Sequence, residues 1–302
     1  MKSTDKDCIE TVKIKTRSAP SFCGIVLLEN MLYRKEKGRK EDGMSLLLCP
    51  NCGAELNREG RQFVCASGHS FDCAKEGYVN LLIGSKSGDN RGDSRASARA
   101  RHDFLNKGYY SCLKEAIAER MQGTVLDICC GEGYYDDYAG EFYGFDISKE
   151  MVRLASKQHR EPNYHYMVAN LSHIPVRDAS IDTAIHLFAP FHGPEFSRVL
   201  KEDGVLYSVI PGRKHLWELK QVVYDTPYEN DEQAPECKEL NLVTRETVTD
   251  VVRIGRENLQ TLFSMTPYYY HTSAEDRARL ESVDFLDLTV SFVILAYRVN
   301  PV

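Results

Sequence analysis

Short apolar runs and segments of helical periodicity alternate along the second half of the chain. Apolar runs of strand length occur at 125–128, 142–145, 164–168, 181–188 and 205–210. Segments in which apolar residues recur at helical spacing lie between or after them, at 148–158, 194–200 and 214–224. Strands that alternate with helices in this way are typical of a parallel sheet with helices on both faces. We therefore predict an α/β, doubly wound, Rossmann-like domain over residues 123–302.

The first part of the chain has a different pattern. Residues 44–84 combine short apolar stretches with turn signals at Pro50-Asn51-Cys52-Gly53 and at Ser67-Gly68, which predicts a small separate domain. Residues 1–43 show no long helical or strand period and end in a run of charged side chains. We expect these residues to be a disordered or non-native leader, with Met44 as the true start.

Two pairs of metal ligands are predicted in the small domain. Cys49 and Cys52 are separated by two residues, and Cys65 and His69 follow after a spacer of twelve. Zinc takes four thiolate or imidazole ligands at tetrahedral angles, and two turns that each supply a pair meet that geometry. Four protein ligands leave no open coordination position, so we predict a structural Zn²⁺. The metal would compensate for the small core that about forty residues can form.

Composition indicates the cellular compartment of the protein. No stretch approaches the ~18 continuous apolar residues that a membrane-spanning helix requires. The ten cysteines do not indicate a disulfide framework, because two of them are adjacent and no secretion signal is recognisable. We expect a cytoplasmic protein in a reducing compartment.

Basic side chains gather between the two domains, although the net charge of the whole chain is −6. Residues 95–105 and 112–121 are predicted helices, so 85–122 is interpreted as a basic linker with helices. A solvated helix surface is the usual explanation of such a charged run. Next to a zinc domain, however, contact with RNA phosphates is the functional interpretation. The candidate RNA-binding residues are Arg91, Arg95, Arg99, Arg101 and Lys107.

The first predicted strand of the large domain ends in a turn that suits a bulky ligand. Asp127 lies in this strand. The following turn contains Gly131, Glu132 and Gly133. Nineteen residues after Asp127, Asp146 ends the second strand, where a carboxylate can accept hydrogen bonds from ribose hydroxyls. Asn170 ends the third strand, and its amide is expected to bond the adenine edge.

The charges around this turn distinguish two classes of nucleotide cofactor. A dinucleotide site needs a third glycine to seat a pyrophosphate on a helix N-terminus, and this chain has Asp136 at that position. Carboxylates suit the sulfonium and ammonium groups of S-adenosyl-L-methionine instead. We therefore predict S-adenosyl-L-methionine as the cofactor, with Cys129 at a position where glycine is usual.

Three longer motifs occur in the small domain, in the linker and in the large domain. They are Phe71-Asp-x-Ala-Lys-Glu-Gly-Tyr-Val-Asn-Leu-Leu82, Arg101-x-x-Phe-Leu-x-x-Gly-x-Tyr110 and His215-Leu-x-Glu-Leu-Lys220. Together with the ligand pairs and the turn after Asp127, they resemble the bacterial 23S ribosomal RNA (guanine-N1)-methyltransferases, which are class I S-adenosylmethionine methyltransferases with a zinc ribbon. The resemblance runs from about Met44 to the C-terminus. It implies methylation of guanine N1 in a 23S rRNA stem-loop. It also implies cofactor contacts at Tyr110, Gly131, Glu132 and His215.

Methylation of guanine N1 sets two further requirements. The N1 proton must be removed, and the base must be unpaired because N1 lies on its Watson–Crick edge. The segment Phe188-Ala-Pro190-Phe191-His192 ends the fourth predicted strand and offers aromatic and proline surfaces for stacking. His192 and Glu195 are weak candidates for the proton acceptor. A solvated loop histidine explains His192 equally well, so no catalytic base is assigned.

Two other functions stay open at this point. The chain could be a class I methyltransferase that acts on another RNA or on a small molecule. It could also be a non-catalytic RNA- or ribosome-binding protein with a decayed cofactor pocket, which Cys129 and the short segment from Gly133 to Tyr143 suggest. The sequence does not fix the oligomeric state, and a homodimer is compatible with it.

Overall fold

The computed structural model describes residues 10–14, 45–83, 95–266, 268–269 and 272–300. Its strands form a nine-stranded sheet and a separate three-stranded sheet. The strands are β1 (Glu10–Ile14), β2 (Leu56–Glu59), β3 (Gln62–Cys65), β4 (Ser70–Asp72), β5 (Val79–Asn80), β6 (Val125–Ile128), β7 (Phe142–Asp146), β8 (Tyr164–Val168), β9 (Ile181–Leu187), β10 (Leu200–Pro211), β11 (Leu240–Gly255) and β12 (Phe285–Val299).

The large sheet is doubly wound, as predicted. Its strand order is β1-β11-β12-β10-β9-β6-β7-β8-β5. Strands β5 to β10 run parallel to one another, whereas β12 lies between β10 and β11 and is antiparallel to both. The order reverses between β6 and β9, and in open α/β sheets ligands bind at the carboxyl ends of strands at such a point. This is the class I methyltransferase arrangement.

Helices cover the sheet and connect its strands. They are α1 (Arg95–Leu105), α2 (Ser111–Ala118), α3 (Lys149–Gln158), α4 (Gly193–Val199), α5 (Trp217–Val223), α6 (Arg256–Ser264) and α7 (Ala274–Ala278), followed by a 3₁₀ turn at Arg279–Ser282. Ser148 caps α3, since its hydroxyl accepts a hydrogen bond from the Met151 N–H at 3.4 Å. Among the described residues, no helix is both long and apolar enough to span a membrane.

The central strands are buried on both faces, which explains why they read as continuous apolar runs. Every residue of β6 is buried, and four of the five residues of β7 are buried. Side chains of both strands contribute to two apolar cores. A parallel sheet with both faces covered requires this composition.

The end of one strand and the start of one helix differ from the prediction. In each case a residue with a bulky side chain adopts a left-handed backbone. The fourth strand was predicted to include Phe188, but β9 ends at Leu187 because Phe188 has φ +56°. The helix predicted from 214 begins only at Trp217, after Leu216 with φ +56°. Such backbone dihedrals interrupt both strand and helix, and neither is visible in the apolar pattern.

The three-stranded sheet packs against one face of the large sheet. Leu47, Cys49, Leu56 and Phe63 belong to the same apolar core as side chains of β6 and β7. The Leu48 N–H donates to the Pro175 carbonyl at 2.9 Å. Residues 79–80, within the predicted range 44–84 of the small domain, form β5 and pair with β8 of the large sheet. The two units therefore share an apolar core and are joined by backbone hydrogen bonds.

Five residues of the predicted leader differ from expectation. Glu10–Ile14 form β1, which pairs in parallel with residues 245–249 of β11. The prediction of disorder does not hold for them, because the long strand β11 offers an outer edge of backbone donors and acceptors that an extended segment can pair with. The rest of the predicted leader, and the predicted RNA-binding residue Arg91, lie outside the described residues.

Candidate active site and metal centre

The four predicted zinc ligands lie together. The ligand atoms of Cys49, Cys52, Cys65 and His69 are all within 4.8 Å of one another. The Cys52 and Cys65 sulfurs are 3.7 Å apart, and the Cys65 sulfur is 3.4 Å from His69 Nδ1. A zinc tetrahedron with Zn–S bonds of about 2.3 Å has S···S edges of about 3.8 Å and S···N edges of about 3.5 Å. The donor atoms therefore fit Zn²⁺ with His69 bound through Nδ1.

Two tight turns present these ligands. Gly53 follows the first pair with φ +74°, and its N–H donates to the Cys49 carbonyl at 2.8 Å. Gly68 lies within the second pair with φ +81°, and its N–H donates to the Cys65 carbonyl at 2.9 Å. Glycine adopts this left-handed backbone without steric cost. Cys73, which the sequence assigned to the core, is buried and lies outside the cluster.

The environment of the cluster favours the thiolate form of one ligand. Hydrogen bonds from the Ala54 N–H and the Ser67 hydroxyl lower the pKa of Cys52 to about 6. A thiolate is the form that coordinates a metal.

A cavity of about 690 Å³ opens at the carboxyl ends of the central strands. The turns after β6, β7 and β9 line it, together with the end of β10 and residues of α1 and α6. This volume lies in the range of pockets that hold a nucleoside-sized ligand. Of the predicted cofactor contacts, Tyr110, Asp127, Gly131, Glu132, Asp146 and His215 line the cavity.

Buried carboxylates give the cavity an acidic wall. Asp127 and Glu132 are buried, and each has one carboxylate oxygen without a hydrogen-bond partner. Burial raises the pKa of Glu132 to about 7, so its carboxylate carries a charge above neutral pH. Unpaired buried carboxylate oxygens are costly, and a bound cation offsets that cost. The residues therefore fit a ligand with a sulfonium and an ammonium group.

Asp136 lies behind this wall. Its carboxylate accepts a hydrogen bond from the Tyr166 hydroxyl at 2.6 Å and shares a hydrogen bond with Asp127. Burial, followed by the neighbouring Asp136 carboxylate, raises the pKa of Asp127 well above its ordinary value. Two carboxyl groups this close together retain a proton between them. Asp136 therefore holds Asp127 in place.

Asp146 is fixed by the backbone at the end of β7. Its Oδ1 accepts from the Ser148 N–H at 2.8 Å, and its Oδ2 accepts from the Gly131 N–H at 3.2 Å. A carboxylate oxygen has two lone pairs, so an oxygen that accepts from the backbone can also accept from a ligand hydroxyl. Cys129 has φ +61°, the left-handed conformation that glycine adopts freely, and burial raises the pKa of its thiol to about 12. The thiol is therefore protonated and unreactive at neutral pH.

His215 presents one defined ring nitrogen to the cavity. Its Nδ1 accepts a hydrogen bond from the Ser291 N–H of β12 at 3.2 Å. Burial lowers the pKa of His215 to about 3, so the ring is neutral and its proton is on Nε2. The ring packs against Tyr110 and Phe292, with centroids 5.8 Å and 4.8 Å away. His215 therefore offers an N–H donor beside the ring of Tyr110.

Two predicted cofactor contacts lie outside the cavity lining. A side chain at Gly133 would meet Ala155 of α3 at 3.0 Å, so this glycine permits the close approach of the helix. The Asn170 side chain accepts from the Ser172 N–H at 3.1 Å in a local turn. The Asn170 oxygen stabilises this turn, and its contact with the adenine edge stays a prediction.

The two weak candidates for a catalytic base also lie outside the cavity lining. His192 caps α4, and its Nδ1 accepts from the Glu195 N–H at 3.4 Å. Glu195 accepts two hydrogen bonds from Arg198 and one from the Ile174 N–H. The Arg198 guanidinium and the Ile174 N–H hold the pKa of Glu195 below its ordinary value despite partial burial. Both side chains therefore serve the local structure of α4.

The predicted RNA-binding residues differ in their surroundings. Arg99 is exposed on α1, and Arg101 lines the cavity. Arg95 begins α1, but its side chain lies outside the described part of the structure. Lys107 donates to the Asn258 Oδ1 at 2.5 Å and lies 3.7 Å from a Glu257 carboxylate oxygen. Its charge is therefore partly neutralised within the protein.

Three further cavity residues were not assigned individually from the sequence. Phe188 is 46% exposed at the cavity, and Tyr268 also lines the cavity. His186 also lines the cavity, and burial lowers its pKa to about 4. Its ring nitrogens lie 3.0 Å from the Ser208 hydroxyl and 3.1 Å from the Pro190 carbonyl. Only the register of β9 against β10 brings His186 and Ser208 together.

Comparisons with known proteins agree with both parts of the chain. A zinc-ribbon family model described as "RlmA, N-terminal" matches residues 47–85, and one described as "Methyltransferase domain" matches residues 126–208. The 23S rRNA (guanine(748)-N(1))-methyltransferase of Streptomyces fradiae is 29% identical over 273 residues, which is 82% of this chain and 95% of that relative. A Micromonospora griseorubida relative named "Putative 23S rRNA (guanine-N(1)-)-methyltransferase" is 31% identical over 272 residues, which is 78% of this chain and 89% of the relative. With this identity over nearly the whole relative, the chain belongs to the 23S rRNA (guanine-N1)-methyltransferase family.

Proposed function

We propose that the protein transfers a methyl group from S-adenosyl-L-methionine to N1 of a guanine in a 23S rRNA stem-loop. The observation that carries this proposal is the similarity to the Streptomyces fradiae enzyme, which extends through the zinc module and the methyltransferase domain together. The acidic cavity supports the same function, because it fits a cationic cofactor. An rRNA substrate implies a cytoplasmic location.

The cavity residues have distinct roles in this proposal. Asp146 accepts hydrogen bonds from the ribose hydroxyls, and the turn at Gly131 lets the cofactor lie against the backbone. Asp127 and Glu132 compensate the positive charges of the methionine part. The Nε2–H of His215 donates a hydrogen bond to the cofactor, and Tyr110 forms the adjoining wall. When bound, S-adenosyl-L-methionine supplies an electrophilic methyl group on its sulfonium.

The reaction places demands on the target base. A bond forms between N1 and the methyl carbon, the carbon–sulfur bond breaks, and the N1 proton leaves to an acceptor. The guanine must therefore be unpaired and held with N1 facing the cavity. Phe188 is the side chain we assign to stacking, because its ring is exposed at the cavity beside Ala189 and Pro190. Base–aromatic stacking contributes ~1–3 kcal/mol per base.

The RNA backbone is held outside the cavity. The net charge of −6 repels RNA, so local basic residues have to provide the attraction. We assign this role to α1 and the preceding segment, through Arg91, Arg95, Arg99 and Arg101, together with the zinc module. Lys107 has a smaller role, because Glu257 and Asn258 bind its ammonium group.

Reversing two charges on α1 should weaken RNA binding. The double variant Arg95→Glu with Arg99→Glu should lower affinity for the RNA and reduce the slope of log affinity against log salt, because fewer counterions are released. Filter binding over a series of salt concentrations measures both quantities. The matched control is Arg253→Glu, which changes an arginine that is paired with Asp287 on β12. An unchanged salt slope in the double variant would remove α1 from the RNA interface.

The reaction itself can be mapped directly. Purified protein with labelled S-adenosyl-L-methionine and unmodified 23S rRNA should yield N1-methylguanine, which stops primer extension because it blocks Watson–Crick pairing. Mass spectrometry of the isolated fragment identifies the modified atom. Methylation of a different atom or a different RNA would replace the proposed substrate, and binding without methylation would favour the non-catalytic alternative.

A further inference from the structure

Lys220 is a buried ammonium group on α5. It is 1% exposed, and its Nζ donates to the Asn230 Oδ1 at 2.7 Å and to the Tyr228 carbonyl at 3.0 Å. The same nitrogen lies 4.4 Å from the ring centroid of Tyr228 and 4.6 Å from that of Tyr268. Within the described ranges, no carboxylate forms an ion pair with it. A buried cation without a counterion is costly, so its retention calls for a role.

Asn230 connects this ammonium group to other parts of the molecule. Its Oδ1 accepts from Lys220 and also from the Tyr268 hydroxyl at 2.6 Å. Its Nδ2 donates to the Gly212 carbonyl at 2.8 Å and to the His215 carbonyl at 3.1 Å. The side-chain amide therefore uses both donors and both acceptor sites. The Lys220 ammonium group can only donate, so the oxygen of the amide must face it. The nitrogen of the amide must then face the two backbone carbonyls.

This network holds two residues that line the cavity. His215 and Tyr268 line it, and the network holds the backbone of one and the hydroxyl of the other. The segment that carries Asn230 also supplies Pro235 to the lining. The position of one cavity wall thus depends on the orientation of a single amide.

We infer that Lys220 is a positioning residue, which orients the Asn230 amide and thereby sets His215 and Tyr268 in the wall of the cofactor pocket. The inference rests on the proposed function, since it assigns the cavity to S-adenosyl-L-methionine. Lys220 itself does not line the cavity. Its effect on affinity passes through Asn230, because loss of the ammonium donor releases one of the two bonds that fix the amide.

The charge of Lys220 changes within an accessible pH range. Burial lowers its pKa to about 8. The titratable groups that face it are His215, which stays neutral, and the hydroxyls of Tyr224, Tyr228 and Tyr268. Burial raises the pKa of Tyr268 to about 12, so it keeps its proton. The charged pair Asp225–Arg279 lies beyond the end of α5 and is exposed.

The test compares wild type with Lys220→Met by titration calorimetry with S-adenosyl-L-methionine at pH 6.5 and pH 9.5. At pH 6.5 the variant should bind about tenfold more weakly, which corresponds to one lost hydrogen bond to a charged group. At pH 9.5 the ratio of the two dissociation constants should fall towards one, because the neutral amine of wild type is a weaker hydrogen-bond donor than the ammonium group. The ratio cancels the titration of the ligand's own amino group, which occurs near pH 8.

Two further variants of the network and one control variant complete the test. Lys220→Arg should keep the wild-type affinity at pH 6.5, and Asn230→Ala should reproduce the loss. Lys201→Met, which removes an ion pair with Asp182 outside the cavity lining, should bind normally. A ratio for Lys220→Met that is independent of pH, or equal to one at pH 6.5, overturns the positioning role. Failure of the wild type to bind the cofactor would instead overturn the proposed function.

Discussion

Replacing Cys65 with serine should abolish stoichiometric zinc and unfold the zinc module. Structural zinc contributes an apparent ~10–16 kcal/mol in small zinc domains, which exceeds the stability of most whole domains. Few other interactions stabilise the module, since its three strands contain only eleven residues. Elemental analysis should find one zinc per chain in wild type and less than a tenth of that in the variant. Limited proteolysis should then cleave within residues 45–78.

The matched control is Cys73→Ser, which changes a buried cysteine of the same module that is not in the ligand cluster. This variant should keep one zinc per chain. Cofactor binding should survive in Cys65→Ser, because the cavity-lining residues all come from position 101 onward. Full zinc content in Cys65→Ser would show that the metal does not use this cluster.

Replacing Asp146 with alanine should weaken S-adenosyl-L-methionine binding by roughly 10- to 150-fold. The estimate corresponds to ~1.5–3 kcal/mol for hydrogen bonds to a charged group. The loss has two sources, because the carboxylate also holds the Gly131 and Ser148 backbone N–H groups that shape the turn. Calorimetric titration measures the dissociation constant, and methyl transfer should fall in parallel at limiting cofactor.

Asp178→Ala provides the comparison for this experiment. Asp178 pairs with Arg198 at 2.6 Å and does not line the cavity, so its removal should leave cofactor affinity unchanged. The thermal unfolding midpoint of both variants separates a local effect from a loss of folding. A dissociation constant for Asp146→Ala within twofold of wild type would exclude the ribose contact.

Sequence patterns predicted the sheet and the metal cluster well, for physical reasons. The strand at 125–128 matches the prediction because burial on both faces forces a continuous apolar run. The strand at 164–168 also matches, and its last three residues are buried. The zinc ligands could be predicted because paired spacing reports local turn geometry. Both signals are contained within a few neighbouring residues.

Features that depend on contacts distant in the chain could not be predicted. The network of Lys220, Asn230 and Tyr268 joins three segments across 48 positions, and no local pattern indicates it. The pairing of β1 with β11 likewise depends on a free strand edge more than 200 positions away.

The placement of β12 has a consequence for the order in which the protein becomes functional during synthesis. This strand leaves the ribosome after β10 and β11, yet it lies between them and pairs with both. It also supplies the Ser291 N–H and the Phe292 ring that hold His215. A nascent chain that ends before residue 285 therefore has two unpaired strand edges and an incomplete cofactor wall. We therefore expect the protein to acquire its cofactor only after its last strand has been made.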